Sequence, residues 1–182
     1  IDAEVLALAV ERNQIPTAHV LSPQRQQLRM RLSVRRALVE TRAQYVTTVR
    51  GLVRAQGGKL PKCSVEHFVT NVGTAELDAR LSELIAPLLQ LLEQLNTELA
   101  QLERQLEEQY AAEPIIALLM TAPNVGVVTA AAFVSVIDDA HRFGSSRKVG
   151  AYLGLTPRRY QSGEVDRDGK ISRCGDALTR TY

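Results

Sequence analysis

A chain of 182 residues suits one or two small domains, and an apolar content of 45% is enough to build a core. Aromatics make up only 4% and Trp is absent, which speaks against stacking platforms of the single-strand-binding type. No apolar run reaches the ~18 residues of a membrane span; the longest, 125–137, is interrupted by Gly126, Thr129 and Ser135, so no membrane partner is expected.

The net charge of +2 hides a segregation along the chain. Residues 22–56 carry eight arginines against the single acid Glu40; 57–141 carry four basic and twelve acidic residues; 142–182 carry nine basic and four acidic. Two basic blocks around an acidic one point to a polyanion touching two surfaces. The alternative is a set of helix faces that pair with each other. Cys63 and Cys174 have neither metal nor redox spacing, and no signal-peptide pattern is read at the start, so a reduced, cytoplasmic setting is expected.

In chain order, residues 2–12 read as a short helix with Asp2 in a capping position. Ile15-Pro16 breaks it, and 18–21 suit a short strand. Ser22-Pro23 supplies an N-cap and a first-turn proline for a long helix that Gly57-Gly58 ends. Its apolar stripe is Leu28, Leu32, Val39, Val46, Val49 and Val53, with Arg35 and Arg42 between. Residues 57–73 read as a polar connector. A second long helix over 74–110 carries leucines at 81, 84, 88, 91, 95, 99, 102 and 106. This is a coiled-coil seam with one extra four-residue step after Leu95, pairing either within the chain or in a dimer. Pro87 is expected to kink it.

Residues 115–120 read as helical, 121–126 as a tight turn and 127–137 as a small-residue helix. That layout suits a helix-hairpin-helix whose free amides, around Asn124 and Gly126, hold a phosphate; a buried alanine-rich helix after a turn explains it equally. A capped helix over 143–155 brings Arg147 and Lys148. The remaining stretch is rich in glycine and arginine, with Gly163 and Gly169 bracketing a loop or hairpin tip. The expected fold is therefore mainly α: a long basic helix, an antiparallel or dimeric coiled coil, then a small helical domain ending in a Gly/Arg-rich loop or hairpin.

Three runs in that last region carry a resemblance: Thr121-Ala-Pro-Asn-Val-Gly126, Arg142-Phe-x-Ser-x-Arg-Lys-x-x-Ala-Tyr-x-Gly-Leu-x-Pro157, and Gln161-Ser-Gly163 followed by Gly169-Lys-Ile-Ser-Arg-Cys-Gly-Asp176. Over 113–182 the chain resembles the C-terminal domain of the insertion-sequence one-ten (one-sixteen, nine-oh-two) transposases, which are DEDD-type, serine-using, bridge-RNA-guided recombinases. Several spaced motifs occur in that family's order. Asp2-Ala-x-x-Leu-Ala resembles the end of its ribonuclease-H-like domain. The resemblance implies three units: 1–21 from that domain, 22–112 as basic helix and coiled coil, and 113–182 as a truncated transposase domain. It also implies three further acids upstream of residue 1 and helices beyond Tyr182, so the chain reads as a fragment, inactive alone.

By the same resemblance Ser162 is the nucleophile, Asp2 the last of four metal-binding acids, and Mg²⁺ the cofactor. The expected partners are DNA, a guide RNA and further copies in a dimer or tetramer, in a bacterial cytoplasm near the nucleoid. Arg158, Arg159, Lys170 and Arg173, with Arg147, Lys148, Asn124 and Gly126, would meet the phosphate or flanking strand, and Arg25, Arg29, Arg35 and Arg36 would form a second basic surface. Rivals stay open. A Ser-Gly in a polar loop is usually only a turn. Ser172 and Tyr160 are alternative nucleophiles. Asp166 and Asp168 are local metal ligands or solvated acids, Asp138-Asp139 a helix end, and His19, His67 and His141 lack a triad partner. The non-enzymatic alternative is a DNA/RNA-binding and dimerisation module.

Overall fold

The computed structural model describes residues 3–15, 18–163 and 165–182; Asp2 lies outside them. The element order is α1 (Ala3–Glu11), α2 (Pro23–Ala55), α3 (Phe68–Gly73), α4 (Ala79–Tyr110), α5 (Pro114–Leu119), α6 (Val127–Ile137), a 3-10 turn (Ala140–Arg142), α7 (Ser146–Tyr152), strands β1 (Pro157–Ser162) and β2 (Val165–Ile171), and α8 (Ala177–Thr181). The architecture is mainly helical, with one two-stranded antiparallel sheet. Among the described residues no helix is long and apolar enough to cross a membrane.

Helices α2 and α4 form an antiparallel hairpin within the chain. Ser22 caps α2 through its hydroxyl, which accepts from the Arg25 amide, and Pro23 opens the helix. Asp78 caps α4, which starts later than the expected residue 74 and runs on through Pro87. Leu28 and Leu32 share a core with Leu106 and Tyr110 at one end, and Val49 and Val53 with Leu81 and Ile85 at the other.

The register of α4 corrects the sequence reading. Its packed positions are Leu81, Ile85, Leu88, Leu92, Leu95, Leu99, Leu102 and Leu106, an unbroken alternation of four- and three-residue steps. No extra step follows Leu95. Leu84 and Leu91 stand off the seam, 64% and 41% exposed. Taking Leu84 and Leu91 in place of their neighbours Ile85 and Leu92 created an irregularity that the packing does not have.

On α2 the same spacing runs through Leu28, Leu32, Arg35, Val39, Arg42, Val46, Val49 and Val53, which puts two arginines into the seam. Arg35 donates through Nε to Glu103 at 2.9 Å and also to the Tyr182 hydroxyl at 2.8 Å. Arg42 donates to the Asn96 side-chain oxygen at 3.1 Å and pairs with Glu66 at 3.4 Å. A buried charge is tolerated only with such partners. These polar layers separate the two apolar ends of the hairpin.

The connector after α2 also needs correction. Within it α3 buries Phe68 and Val72, and with Leu60 these cap the far end of the hairpin. Val65, Phe68, Val69 and Val72 stand at i, i+3, i+4 and i+7, a short helical period that the connector reading passed over. Residues 18–21 form no strand. At the near end, α6 lies against α2, α4, α5 and α8 and buries Ala130, Ala131, Ala132, Val134 and Ile137. The alanines allow close helix approach, as the buried-helix reading had it.

Candidate nucleic-acid interface

Residues 157–171 form a β-hairpin held at its root by two glycines. Gly154 ends α7 in the left-handed region (φ +70°), and a Cβ there would stand 2.6 Å from the Gly175 amide nitrogen. A Cβ on Gly175 would collide with the Leu153 backbone and the Tyr152 carbonyl. The segments before β1 and after β2 therefore cross backbone on backbone. The Ser172 amide donates to the Thr156 carbonyl (2.8 Å) and the Arg173 amide to the Gly154 carbonyl (3.0 Å), which closes the root.

Beyond that root every residue of β1 is exposed, and β2 is exposed except around Gly169. Ser162 pairs in register with Val165, and Gly163 follows Ser162 into the turn. Gly163 takes φ +57°, which suits a two-residue hairpin turn. This corrects the bracketed-loop expectation: Val165 to Asp168 belong to β2, and Gly169 lies inside the strand rather than at the end of a loop.

The register sorts the side chains onto two faces, because alternate residues of a strand point to opposite sides. Tyr160 opposes Arg167 and Ser162 opposes Val165, on one face. Arg159 opposes Asp168 and Gln161 opposes Asp166, on the other. There the Arg159 guanidinium grips both oxygens of Asp166, one at 2.9 Å. The Arg159 hydrogen bond holds the Asp166 carboxyl below its ordinary pKa. Between Pro157↔Ile171 and Arg159↔Asp168 the register gains a residue, so Gly169 and Lys170 together face Arg158 across a bulge.

Other expected phosphate ligands fall into two groups. Arg147, Lys148, Lys170 and Arg173 are exposed and form no salt bridge with a described residue; Arg158 reaches the Ser172 carbonyl at 3.2 Å. Asn124 (φ +65°) and Gly126, the N-cap of α6, sit in the exposed turn after α5. In contrast, the four arginines of α2 expected to bind phosphate have acidic partners. Arg25 binds Glu113 through two bonds, one of 3.0 Å, Arg29 binds Asp176, Arg35 binds Glu103, and Arg36 binds Glu40. This is the pairing of helix faces that the charge pattern left open. The Arg25 pKa is raised, first through its hydrogen bond to Glu113 against the opposing effect of burial.

Sequence reasoning missed two residues. Arg167 shares the Ser162 face; a two-residue period counted outward from Gly163 would have found it. Asp138 was read only as a helix end. It is that, with φ +58° and ψ −81°, close to the strained γ-turn region. Its carboxylate also accepts from the Ser22 amide (2.9 Å) and hydroxyl (2.8 Å) and meets the His19 ring nitrogen at 2.9 Å. Burial raises its pKa, but these hydrogen bonds outweigh it and the net shift is downward. Asp138 thus ties the chain entering α2 to the end of α6, beside a cleft of about 290 Å³ lined by Arg25, Phe133 and His141. His19 and Ser22 both bind Asp138, an arrangement that is no catalytic triad, since a triad requires the serine to bond the histidine. His141 and His67 bond only Asp139 and Ser64.

Among the described residues no cluster of three or more His, Cys, Asp or Glu side chains is placed to hold a metal. Asp166 and Asp168 stand on the ribbon face opposite Ser162. Ser172 is half-buried at the ribbon root, whereas Ser162 and Tyr160 are exposed.

Residues 116–182 match the Transposase IS116/IS110/IS902 family. Over 99% of its length the chain is similar to a probable family 20 transposase of Pseudomonas aeruginosa, 31% identical over 186 residues and covering 55% of that protein. It is likewise similar to the transposase for insertion sequence element IS1328 of Yersinia enterocolitica, 29% identical over 185 residues and covering 54% of it. Against the transposase for insertion sequence element IS1111A of Coxiella burnetii the values are 24% over 185 residues and 51%. The chain spans about half the length of these curated relatives. The chain is thus similar along nearly its whole length to transposases of insertion sequences, and its residues 116–182 match the Transposase IS116/IS110/IS902 family.

Proposed function

We propose that this chain is the C-terminal half of a DNA transposase and that Ser162 is its nucleophile. One observation carries the reading: Ser162 ends β1 beside the left-handed Gly163, exposed at the tip of a ribbon whose root is fixed by the Gly154–Gly175 crossing. A nucleophile on such an arm can reach a phosphodiester without dismantling the fold. Its oxygen attacks phosphorus, the bond from phosphorus to one deoxyribose oxygen breaks, and the hydroxyl proton passes to a base while the departing oxygen gains one. The phosphoserine diester keeps the bond energy for rejoining.

A serine hydroxyl is a weak nucleophile unaided. The described acids do not form a divalent-cation site, so no step here is routed through Mg²⁺. Asp2 with carboxylates of a DEDD domain is the proposed holder of that ion, in a composite site. A guide RNA, a dimer or tetramer, and the division at residues 21 and 112 belong to the same proposal.

The test is a denaturant-resistant protein–DNA adduct, formed by the chain together with the remaining length that its relatives possess. The adduct should vanish in Ser162→Ala and survive in Ser172→Ala and Tyr160→Phe. An adduct persisting in Ser162→Ala sinks the assignment. The second reading, a non-catalytic DNA- or RNA-binding module, is favoured by the exposed cations of the C-terminal region that form no salt bridge among the described residues. It predicts salt-sensitive binding with no adduct under any Mg²⁺ condition.

A further inference from the structure

We infer that the ribbon face bearing Ser162 is a duplex-DNA docking surface, on which Arg158 and Arg167 engage phosphates and Tyr160 lies against a sugar or base edge. This rests on the reading that the chain acts on DNA, but not on Ser162 being the nucleophile. The two faces of the hairpin differ in charge. Arg158, Tyr160, Ser162, Val165 and Arg167 alternate onto one face, with no described acid among them. The other face holds Arg159 with Asp166 and Asp168, and its arginine is already occupied. The ribbon thus presents one cationic side and one side with two acids to a single arginine, and a polyanion meets only the first favourably.

Tyr160 has a specific local arrangement. A Cβ built on Gly169 would stand 2.9 Å from Tyr160 Cε2 and 3.2 Å from the Arg158 carbonyl. The ring therefore lies across the strand over Gly169, and any larger residue there would displace it. Held in this way, Tyr160 is still 58% exposed. Val165 beside the tip is 50% exposed. A two-stranded hairpin open on both faces is marginal in water, and a partner that covers one face compensates for that.

Duplex DNA fits better than a single strand. A β-ribbon is one of the elements that the major groove admits. Strands of six and seven residues extend about 20 Å at roughly 3.3 Å per residue, enough to cross a groove from one phosphate row to the other. Single strands are held by several successive stacking rings. This face offers one ring between two guanidinium groups.

The test is titration of a fluorescent DNA duplex with the 182-residue chain over a series of salt concentrations, read by anisotropy. Arg158→Ala and Arg167→Ala should each weaken binding and reduce the slope of log affinity against log salt by about 1. Arg167→Lys should restore that slope. Arg159→Ala should leave affinity and slope unchanged. Tyr160→Ala should weaken binding about ten-fold with the slope intact, and Tyr160→Phe should retain the affinity. Ser162→Ala should bind like the parent, so failure of the nucleophile assignment leaves these readouts in place. The inference is overturned if Arg159→Ala costs as much as Arg167→Ala, if Tyr160→Ala binds normally, if a single-stranded RNA probe binds as tightly as the duplex, or if no duplex binding occurs. Melting curves matching the parent show that each variant is folded.

Discussion

The molecule contains two hairpins, one helical and one of strands, and both are rich in arginine. In the α2–α4 hairpin Arg35 and Arg25 are paired within the fold: Arg35 with Glu103 of α4 across the seam, Arg25 with Glu113 just beyond the end of α4. In the β1–β2 hairpin Arg158 and Arg167 are exposed on a face with no acid among the described residues. Formal charge per segment is therefore a poor guide to where a polyanion binds. What matters is whether the geometry brings an acid within reach, since a paired guanidinium has little field left to offer. The helical hairpin uses its charge to set register; the strand hairpin keeps its charge for a partner.

The largest expected effect tests the register of the helical hairpin. Leu106 is fully buried and Leu91 is 41% exposed, although both lie on the leucine-rich face of α4. Leu106→Ala should cost about 3 kcal/mol, as core truncations do. Leu91→Ala should cost less than about 0.5 kcal/mol, as surface changes do. Denaturant unfolding followed by circular dichroism measures both. Equal losses at the two positions would restore the seam counted on leucines alone.

The next effect separates the roles of the two arginine sets. Arg25 is 14% exposed in its side chain and Glu113 27%. Arg25→Ala leaves Glu113 and Asp138 without their cation, at a cost of about 2 kcal/mol, less than for a fully buried pair because part of the site is wet. Its DNA-binding salt slope should match the parent's, unlike that of Arg167→Ala. A reduced slope in Arg25→Ala would return α2 to the list of DNA-binding surfaces.

Much of the helical hairpin was legible, because its signals are local. Ser22-Pro23 and Gly57 mark the ends of α2, and residues 127–137 are helical as expected. The seam of α4 was misplaced because Leu84 and Leu91 were taken in place of their buried neighbours Ile85 and Leu92. Helix α3 had a local signal in Val65, Phe68, Val69 and Val72, but that run of helical spacing is short and the packing that fixes it comes from α2 and α4. The strand hairpin was half legible. Gly163 gave the turn, but the faces follow from register, and register depends on a bulge opposite Arg158 that no single residue announces. The Asp138 hub joins residues 116 positions apart, so nothing local could have signalled it. The root crossing explains two glycines, Gly154 and Gly175, that sequence alone leaves as flexible punctuation.

The smallest effect compares one acid from each hairpin. Asp138, at the root of the helical hairpin, and Asp166, on the ribbon, both have folded pKa values below their ordinary ones. A depressed carboxylate contributes stability that is fully present above the unfolded pKa of about 3.9 and is lost as pH falls through the lower folded value. The two differ in surroundings. The Asp138 side chain is 13% exposed and bonds Ser22 and His19, whereas that of Asp166 is 46% exposed and bonds one solvated arginine. Asp138→Asn removes the charge but keeps the shape, so at neutral pH it should cost about 1 kcal/mol. It should also flatten the acid limb of the stability curve below about pH 5, because the group that protonates there is gone. Asp166→Asn should leave that limb as it is, since a solvated surface pair contributes little. Thermal melts of the two variants across this range measure the difference. If Asp166→Asn flattens the acid limb and Asp138→Asn does not, the ribbon rather than the helical root carries the acid sensitivity, and the contrast between sealed and open hairpins fails.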